Sequence, residues 1–190
     1  MDAIMIALVA VLLANADGRS GAFLSRLLTL RSDRRPVVMI AVGAFVANAL
    51  VAALFGAALS RMVGQGVVAL FVAFALVSAA AALLWRGRLT PDAAALAPVS
   101  YPVLALRLGI GQLGDRSHFL IGALAATSGA GHWAAAGGLI GWVLSMLPFL
   151  AFGADLGEGR AARRLRWASA AILLLWGARA AMTAFGLIEG

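Results

Sequence analysis

The sequence predicts an all-α integral membrane protein with six transmembrane helices arranged as a 3+3 inverted repeat. The 190 residues are 63% hydrophobic, with a mean hydropathy of +0.98. A soluble domain is usually only about 45–50% apolar. The apolar residues are grouped into blocks of about 20, the length that crosses a bilayer as a helix. A polar motif also occurs twice, once in each half of the chain, which indicates the internal repeat.

Six apolar segments define the predicted helices, and arginine, glycine or proline lies between them. The predicted spans are 3–30, 37–60, 66–85, 103–128, 133–153 and 167–188. The longest connection, 86–102, contains three prolines, a residue that ends helices. We therefore divide the chain into a first three-helix repeat (1–85), this linker and a second three-helix repeat (103–190).

The distribution of arginine predicts the orientation in the membrane. All 15 basic residues are arginine, and only Arg61 lies in the loops between spans 2–3 and 4–5. The other loops contain Arg31, Arg34, Arg35, Arg86, Arg88, Arg160, Arg163, Arg164 and Arg166. Short cytoplasmic loops retain positive charge. Both termini are thus predicted to be periplasmic in a bacterial inner membrane. Topology accounts for the net charge of +7 without a nucleic-acid partner.

Two related polar motifs interrupt the first and fourth predicted spans. The first is Asn15-Ala16-Asp17-Gly18-Arg19-Ser20, and the second is Gln112-Leu113-Gly114-Asp115-Arg116-Ser117. Three spans separate them, so the second motif crosses the membrane in the opposite sense. Each lies about 12 residues into its span, or about 18 Å deep in a core of about 30 Å. Inverted-repeat transporters place their substrate sites at such interruptions.

The residue types in the motifs favour a cation site. A carboxylate at that depth must pair, bind a proton or bind a cation, and Asp115 can exchange a proton for a metal ion. Mn²⁺ and Ca²⁺ favour oxygen ligands. The predicted site residues are Asn15, Asp17, Arg19, Ser20, Gln112, Asp115, Arg116 and Ser117, with Asp115, Gln112, Asp17 and Asn15 as candidate metal ligands. The structural alternative is that Asp115 merely neutralises Arg116 or Arg19.

Two further residues are singled out by their position. His118 is a candidate proton relay, since imidazole titrates near neutrality, although a hydrogen-bonded packing histidine suits the position equally. Arg179 lies about 12 residues into the last predicted span and is expected to point into the bundle. The sequence contains no phosphate loop and no HExxH motif. We therefore expect neither an enzyme nor a permanently bound cofactor.

The stretch "GQLGDRSHFLIGALAA" (111–126) resembles the second signature of the manganese/calcium–proton antiporter family. This family of the lysine exporter superfamily includes Golgi and thylakoid transporters and bacterial manganese exporters. Its signature, E-x-G-D-K/R-S/T, occurs once in each three-helix half, and here it matches Gly114, Asp115, Arg116 and Ser117. The resemblance extends to span count and motif placement. It implies proton-driven export of Mn²⁺ or Ca²⁺, with the signature acids as ligands.

The chain departs from the signature at the acidic positions. Asn15 and Gln112 stand where the family has glutamate, and Asp17 and Gly18 stand in exchanged order. Four acids and two bases thereby become two acids and two arginines, which weakens the attraction of the site for a divalent cation. Two alternatives therefore stay open: an exporter of a small zwitterionic or anionic solute, and a non-transporting membrane scaffold.

Overall fold

The computed structural model describes residues 2–85, 92–129 and 131–188, and these ranges contain helices and connections without a β-strand. The helices are α1 (Asp2–Ala14), α2 (Arg19–Leu30), α3 (Arg34–Met62), α4 (Gln65–Leu84), α5 (Ala93–Leu96), α6 (Tyr101–Gln112), α7 (Arg116–Ser128), α8 (Gly131–Phe152) and α9 (Arg160–Ala184), with a 3₁₀ turn at Ala154–Glu158. The predicted all-α class is confirmed. Residues 86–91 of the predicted linker lie outside the described residues.

Four helices, α3, α4, α8 and α9, are long and apolar enough to cross a membrane. The pair α1 and α2, bent by 71° at a short break, adds a fifth span if it is counted as one. The predicted fourth span is divided into α6 and α7, of 12 and 13 residues. At about 1.5 Å per residue, neither can cross a core of about 30 Å alone.

The two breaks confirm that the polar motifs interrupt their helices. The first break covers residues 15–18 between α1 and α2, and the second covers 113–115 between α6 and α7. Gly18 lies against the ring of Phe149, which is three residues from the end of α8. The first break thus lies beside the end of a long helix, whereas the sequence had placed it at mid-depth in the membrane.

The beginning of the last helix corrects the sequence prediction. α9 begins at Arg160 and not at residue 167, so four arginines that we placed in a loop lie on its first two turns. Alanine and arginine are both good helix formers, and the stretch 160–166 consists of these two residues and one leucine. The high charge of this stretch had indicated a loop, but charge alone does not interrupt a helix.

Small residues permit close packing of the long helices. α1 lies along α8, α3 crosses α7, and α4 lies along α9. A Cβ atom added to Gly137 would lie 2.1 Å from the carbonyl oxygen of Ile4, and one added to Gly56 would lie 2.0 Å from that of Gly122. Such close approach of backbones is typical of helix pairs in membranes, where packing replaces the hydrophobic driving force.

The helices on either side of the two breaks pack on long helices from the other half of the chain. α1, before the first break, packs on α8, and α6, before the second break, packs on α3. Likewise α7 packs on α3, and α2 packs on α8. α1 and α6 differ in burial: α1 also contacts α7 and α9, whereas only Leu104 and Leu108 of α6 are buried. α6 is thus a peripheral helix with open space beside it.

A cluster around Arg31 ties the connection between α2 and α3 to the segment before α6. The Arg31 guanidinium donates to the carbonyl oxygens of Ala97 and Val99 at 3.0 and 2.8 Å. It also donates twice to the Asp33 carboxylate, at 2.9 and 2.8 Å, and lies over the Tyr101 ring. Hydrogen bonds from Arg31 and then Tyr101 hold the pKa of Asp33 far below its ordinary value. We call this end of the bundle the linker end.

Candidate functional site

The two helix breaks are in direct contact. The side-chain amide of Asn15, at the first break, donates to the Ser117 hydroxyl at 2.9 Å and to the carbonyl oxygen of Val11 at 2.8 Å. Asn15 is 3% exposed and Ser117 is fully buried. The structure thus brings together two predicted site residues that are 102 positions apart in the chain.

One glycine in the left-handed region makes each break possible. Gly18 has a φ of 67° and Gly114 a φ of 80°, and glycine adopts these angles without steric cost. In the first motif this glycine follows the acid, and in the second it precedes the acid. A Cβ atom on Gly18 would lie 1.9 Å from the Phe149 ring, whereas one on Gly114 would meet nothing within 4 Å. The first break is packed and the second adjoins open space.

Asp17 is held between two arginines, one from each motif. Its Oδ1 lies 2.5 Å from an Arg116 amino nitrogen, and its Oδ2 lies 3.2 Å from Nε of Arg19. The Asp17 side chain is only 2% exposed. Arg19 in addition donates to the carbonyl oxygen of Trp85. Asp17 therefore acts as the counter-ion of two guanidinium groups.

Asp115 has a different environment although it adjoins Arg116 in the sequence. It is half-buried at the N-terminus of α7, where its backbone carbonyl accepts from the amides of His118 and Phe119. Its carboxylate makes no hydrogen bond or ion pair with the described residues. The pairing of Asp115 with Arg116 or Arg19, our structural alternative, is absent from the described part of the chain, since both arginines pair with Asp17.

A cavity of about 670 Å³ leads from α5 to the second break, between α2, α4, α6 and α8. Gln112, Gly114, Asp115 and Arg116 line it at the second break, and the exposed Asp92 lines it before α5. The charged groups on its wall among the described residues are Arg19, Arg107, Arg116, Asp92 and Asp115. Oε1 of Gln112 is buried without a hydrogen-bond partner among the described residues. Near the second break the wall thus presents one unpaired carboxylate and one unpaired amide oxygen.

A second cavity of about 660 Å³ lies between α2, α5 and the 3₁₀ turn. Asp17 lines this cavity, and Arg19 and Asp92 line both. The four candidate metal ligands therefore do not share a cavity: Gln112 and Asp115 line the first, Asp17 the second, and Asn15 lines neither. Within the ranges that the structure describes, no three His, Cys, Asp or Glu side chains are grouped closely enough to hold a metal ion.

The remaining predicted residues lie in distinct environments. Ser20 lines the first cavity beside Arg19. His118 is buried, with Nε2 3.3 Å from the carbonyl oxygen of Phe45 and its ring centroid 4.6 Å from that of Phe45. It also interacts electrostatically with Asp115. These contacts fit a packing histidine, and the nearness to Asp115 keeps the proton-relay hypothesis open.

The prediction for Arg179 is wrong. Arg179 is exposed on α9, and it does not reach the aspartates. The buried residues of this helix are Ser169, Ala170, Leu173 and Gly177. Gly177 lies close to α4, where a Cβ atom would be 3.2 Å from the carbonyl oxygen of Ala73. Because Arg179 lies outside that buried face, the helix directs it away from the bundle.

Two charged residues of the cavity wall, Arg107 and Asp92, were not predicted as site residues. Arg107 lies five residues before Gln112 on α6 and lines the first cavity. Asp92 caps α5 by accepting from the amide of Ala94 at 2.9 Å. An aspartate after proline and before three alanines is a recognisable helix start. Its position on the cavity wall depends on how the linker folds.

Comparison with family models, curated proteins and solved structures found no match for this chain. We therefore infer what the site can bind from the side chains that line it. A cavity of this volume accommodates a hydrated ion or a small organic solute. The described part of its wall carries three arginines and two aspartates, which sum to a formal charge of +1 when all five side chains are ionised.

Proposed function

We propose that the protein is a proton-coupled secondary transporter of the bacterial inner membrane, with Asp115 as the group that binds the cargo cation and the exchanged proton. The observation that carries this proposal is the Asp115 carboxylate, which lines a cavity beside a helix break and is unpaired among the described residues. A carboxylate within a membrane protein binds a positive partner. The resemblance to manganese/calcium–proton antiporters makes Mn²⁺ or Ca²⁺ the first candidate cargo, exported from the cytoplasm.

The available ligands predict weak binding of a divalent cation. The Asp115 carboxylate and Oε1 of Gln112 supply oxygen ligands on the same cavity wall. Ca²⁺ takes six to eight oxygen ligands, so water has to complete the shell. Arg107 and Arg116 on the same wall oppose a cation electrostatically. We expect a dissociation constant on the order of 10⁻⁴–10⁻³ M, the range of sites with few charged ligands.

The packing of the halves supports alternating access through a 3+3 inverted repeat. The matching pairs α1·α8 and α6·α3, and α7·α3 and α2·α8, are those expected when two halves are related by a pseudo-twofold axis. α1 is more buried than its counterpart α6, and the first cavity lies beside α6. If the arginine-rich linker end is cytoplasmic, the cavity corresponds to an inward-open state with six spans and periplasmic termini.

A second candidate function is export of a small zwitterionic solute. The observation that favours it is the presence of Arg19, Arg107 and Arg116 on the same cavity wall as Asp115. The guanidinium groups suit a carboxylate, and Asp115 suits an ammonium group. A non-transporting scaffold, our third alternative, predicts that both aspartates are paired and that no cavity reaches them. Asp17 is paired as the scaffold requires, but Asp115 is unpaired among the described residues and lines a cavity, which the scaffold does not predict.

The test is cation flux in proteoliposomes under an imposed pH gradient. We expect wild-type protein to move Mn²⁺ or Ca²⁺ against the proton flux and Asp115→Asn to lower the rate at least tenfold, an effect of about the size seen when a metal site loses a supporting group. Asp155→Asn is the matched control, because Asp155 is an exposed acid in the 3₁₀ turn that lines neither cavity.

Two outcomes would change the proposal. Cation flux that is unaffected by Asp115→Asn rejects the role of this carboxylate. Metal-independent flux of zwitterionic amino acids that requires Arg116 supports the second candidate instead. Both measurements use the same reconstituted protein, so the cargo classes are compared directly.

A further inference from the structure

We propose that Asp17 is a positioning residue, whose carboxylate holds the Arg116 guanidinium away from Asp115. Arg116 and Asp115 are neighbours in the sequence and line the same cavity. Even so, the Arg116 guanidinium pairs with Asp17, 99 residues away on the other half of the chain. On this assignment Asp17 is not a cation ligand, and its role is to keep the Arg116 guanidinium from pairing with Asp115.

The burial of the pair explains why Arg116 needs a counter-ion. The Arg116 side chain is 11% exposed and that of Asp17 is 2% exposed. A guanidinium with so little access to water is stable only beside a negative charge. The carboxylates near it are Asp17, which it contacts, and Asp115, which shares its cavity wall. As long as Asp17 occupies the guanidinium, the Asp115 carboxylate stays unpaired.

Arg116 has N–H donors that Asp17 does not use, and these donors could pair with Asp115. Nε of Arg116 is buried and has no hydrogen-bond partner among the described residues. Five N–H donors surround a guanidinium, and the contact with Asp17 uses one amino group. Loss of the Asp17 charge would leave Asp115 as the carboxylate to which this group can turn.

Other charged groups near Asp17 belong to the packed elements around it. Arg19 of α2 pairs with its Oδ2, and Arg26 of α2 pairs with Glu158 of the 3₁₀ turn at 3.7 Å. Asp92 before α5 lines the same second cavity. Among these acids, Asp17 is the one that contacts Arg116. The exchanged order of acid and glycine in the first motif therefore places an acid against the arginine of the second.

The ion pair itself is independent of transport, but its value for cargo binding rests on the proposed function of Asp115. The test therefore reads the state of Asp115 directly. A hydrophobic carbodiimide forms a stable adduct with an accessible carboxyl that lacks a counter-ion. Mass spectrometry of the peptide that contains Asp115 then reports the adduct in full-length protein in lipid vesicles, and cation flux is measured on the same preparations.

Four variants define the expected result. Asp17→Asn should lower Asp115 labelling at least fivefold, about the smallest effect typical of coupled sites, because Arg116 turns to Asp115. Asp17→Glu should keep wild-type labelling, since the charge is retained. The double variant Asp17→Asn with Arg116→Gln should restore labelling, because no guanidinium remains at position 116. Glu158→Gln is the matched control: it removes an acid from an exposed arginine pair and should change nothing.

The double variant separates positioning from a purely structural role. Unchanged labelling in Asp17→Asn overturns the proposal, and so does labelling that the double variant fails to restore. If Asp17→Asn does not fold, the other two variants keep the proposal falsifiable: labelling below the wild-type level in Asp17→Glu or in the double variant overturns it. If the labelling pattern is as expected but wild-type protein moves no cation, the proposed function is rejected and this inference stands. If cation flux depends on Asp115 but labelling does not depend on Asp17, this inference is rejected and the proposed function stands.

Discussion

The acid of the first helix break is ion-paired, whereas the acid of the second has no ion-pair partner among the described residues, although each motif contains an acid, a glycine, an arginine and a serine. Gly18 lies against the Phe149 ring, and Asp17 before it contacts two arginines. Gly114 has open space around it, and Asp115 after it lines the first cavity. The difference teaches that two motifs of nearly the same composition can place their acids in opposite environments: Asp17 is a buried counter-ion, and Asp115 is an unpaired group on a cavity wall.

The helices that precede the two breaks differ in the same sense. α1 packs along α8, where Gly137 and Gly141 allow close approach to the backbone at Ile4 and Leu8. α6 packs against α3, where its contacts include a bond from the Asn48 side chain to the carbonyl oxygen of Gly109. A Cβ atom added to Gly109 or Gly111 of α6 would meet nothing within 4 Å, whereas one added to Gly137 or Gly141 would overlap a backbone carbonyl of α1. The helix before the first break is thus packed more closely than the helix before the second, and the first cavity lies beside α6.

The largest expected effect is a difference in the free energy of unfolding between variants of Asp17 and of Asp115. Asp17→Asn removes the carboxylate that two guanidinium groups share, and of these Arg116 can turn to Asp115. The free energy of unfolding should therefore fall by up to about 3–5 kcal/mol, the cost of breaking a buried pair. Asp115→Asn should change it by less than about 1 kcal/mol, because Asp115 makes no ion pair with the described residues. Denaturant unfolding of both variants in detergent checks this. Equal losses would show that both breaks use their acid for folding.

The next largest effect is a difference in the free energy of unfolding between alanine variants at Gly18 and at Gly114. Gly18→Ala adds overlap with the Phe149 ring to the cost of a positive φ and should lower the free energy of unfolding by about 2–4 kcal/mol. Gly114→Ala meets no neighbouring atom within 4 Å, so only the backbone cost of about 1–2 kcal/mol remains. Thermal unfolding of the two variants under one condition gives the comparison. A larger loss at Gly114 would contradict the packed-versus-open assignment.

A smaller effect measures the hydrogen bond that joins the breaks. Asn15→Ala and Ser117→Ala each remove the contact between Nδ2 of Asn15 and the Ser117 hydroxyl. A double-mutant cycle should give a coupling of about 0.6–1.7 kcal/mol, the range of side-chain hydrogen bonds between membrane helices. Additive losses would mean that the contact contributes nothing. Gln112→Ala is the control at the second break, because its amide oxygen has no hydrogen-bond partner among the described residues.

The smallest effect concerns the half-buried Arg31–Asp33 ion pair at the linker end. The Asp33 carboxyl has its pKa lowered in the folded protein, chiefly by Arg31, so its contribution to stability is present above the unfolded pKa of about 3.9. That contribution is lost as the pH falls below this value. The melting-temperature difference between wild type and Asp33→Asn should therefore be constant near neutrality and shrink below about pH 4. A difference independent of pH would exclude the Arg31–Asp33 pair as its source.

The helices could be predicted where local composition defines them, and the errors have local causes too. The breaks were recognised because Asp17 and Asp115 interrupt otherwise apolar segments. The start of α9 was misplaced because charge was taken to indicate a loop, although the stretch from Arg160 consists of good helix formers. Arg179 was expected inside because a charged residue in a span usually faces the bundle, but this rule does not reveal which helix face is covered. Periodicity in an evenly apolar helix is too weak to do so.

The sequence by itself determined the helical class, the two interruptions and the charges available at each. These properties depend on residues within one or two helical turns. Only the tertiary structure decided which aspartate is neutralised. Arg116 adjoins Asp115 in the sequence, yet it pairs with Asp17 because α1 and α7 bring the two breaks together. An ion pair forms with the nearest carboxylate in space, and in this protein that carboxylate lies in the other half of the chain.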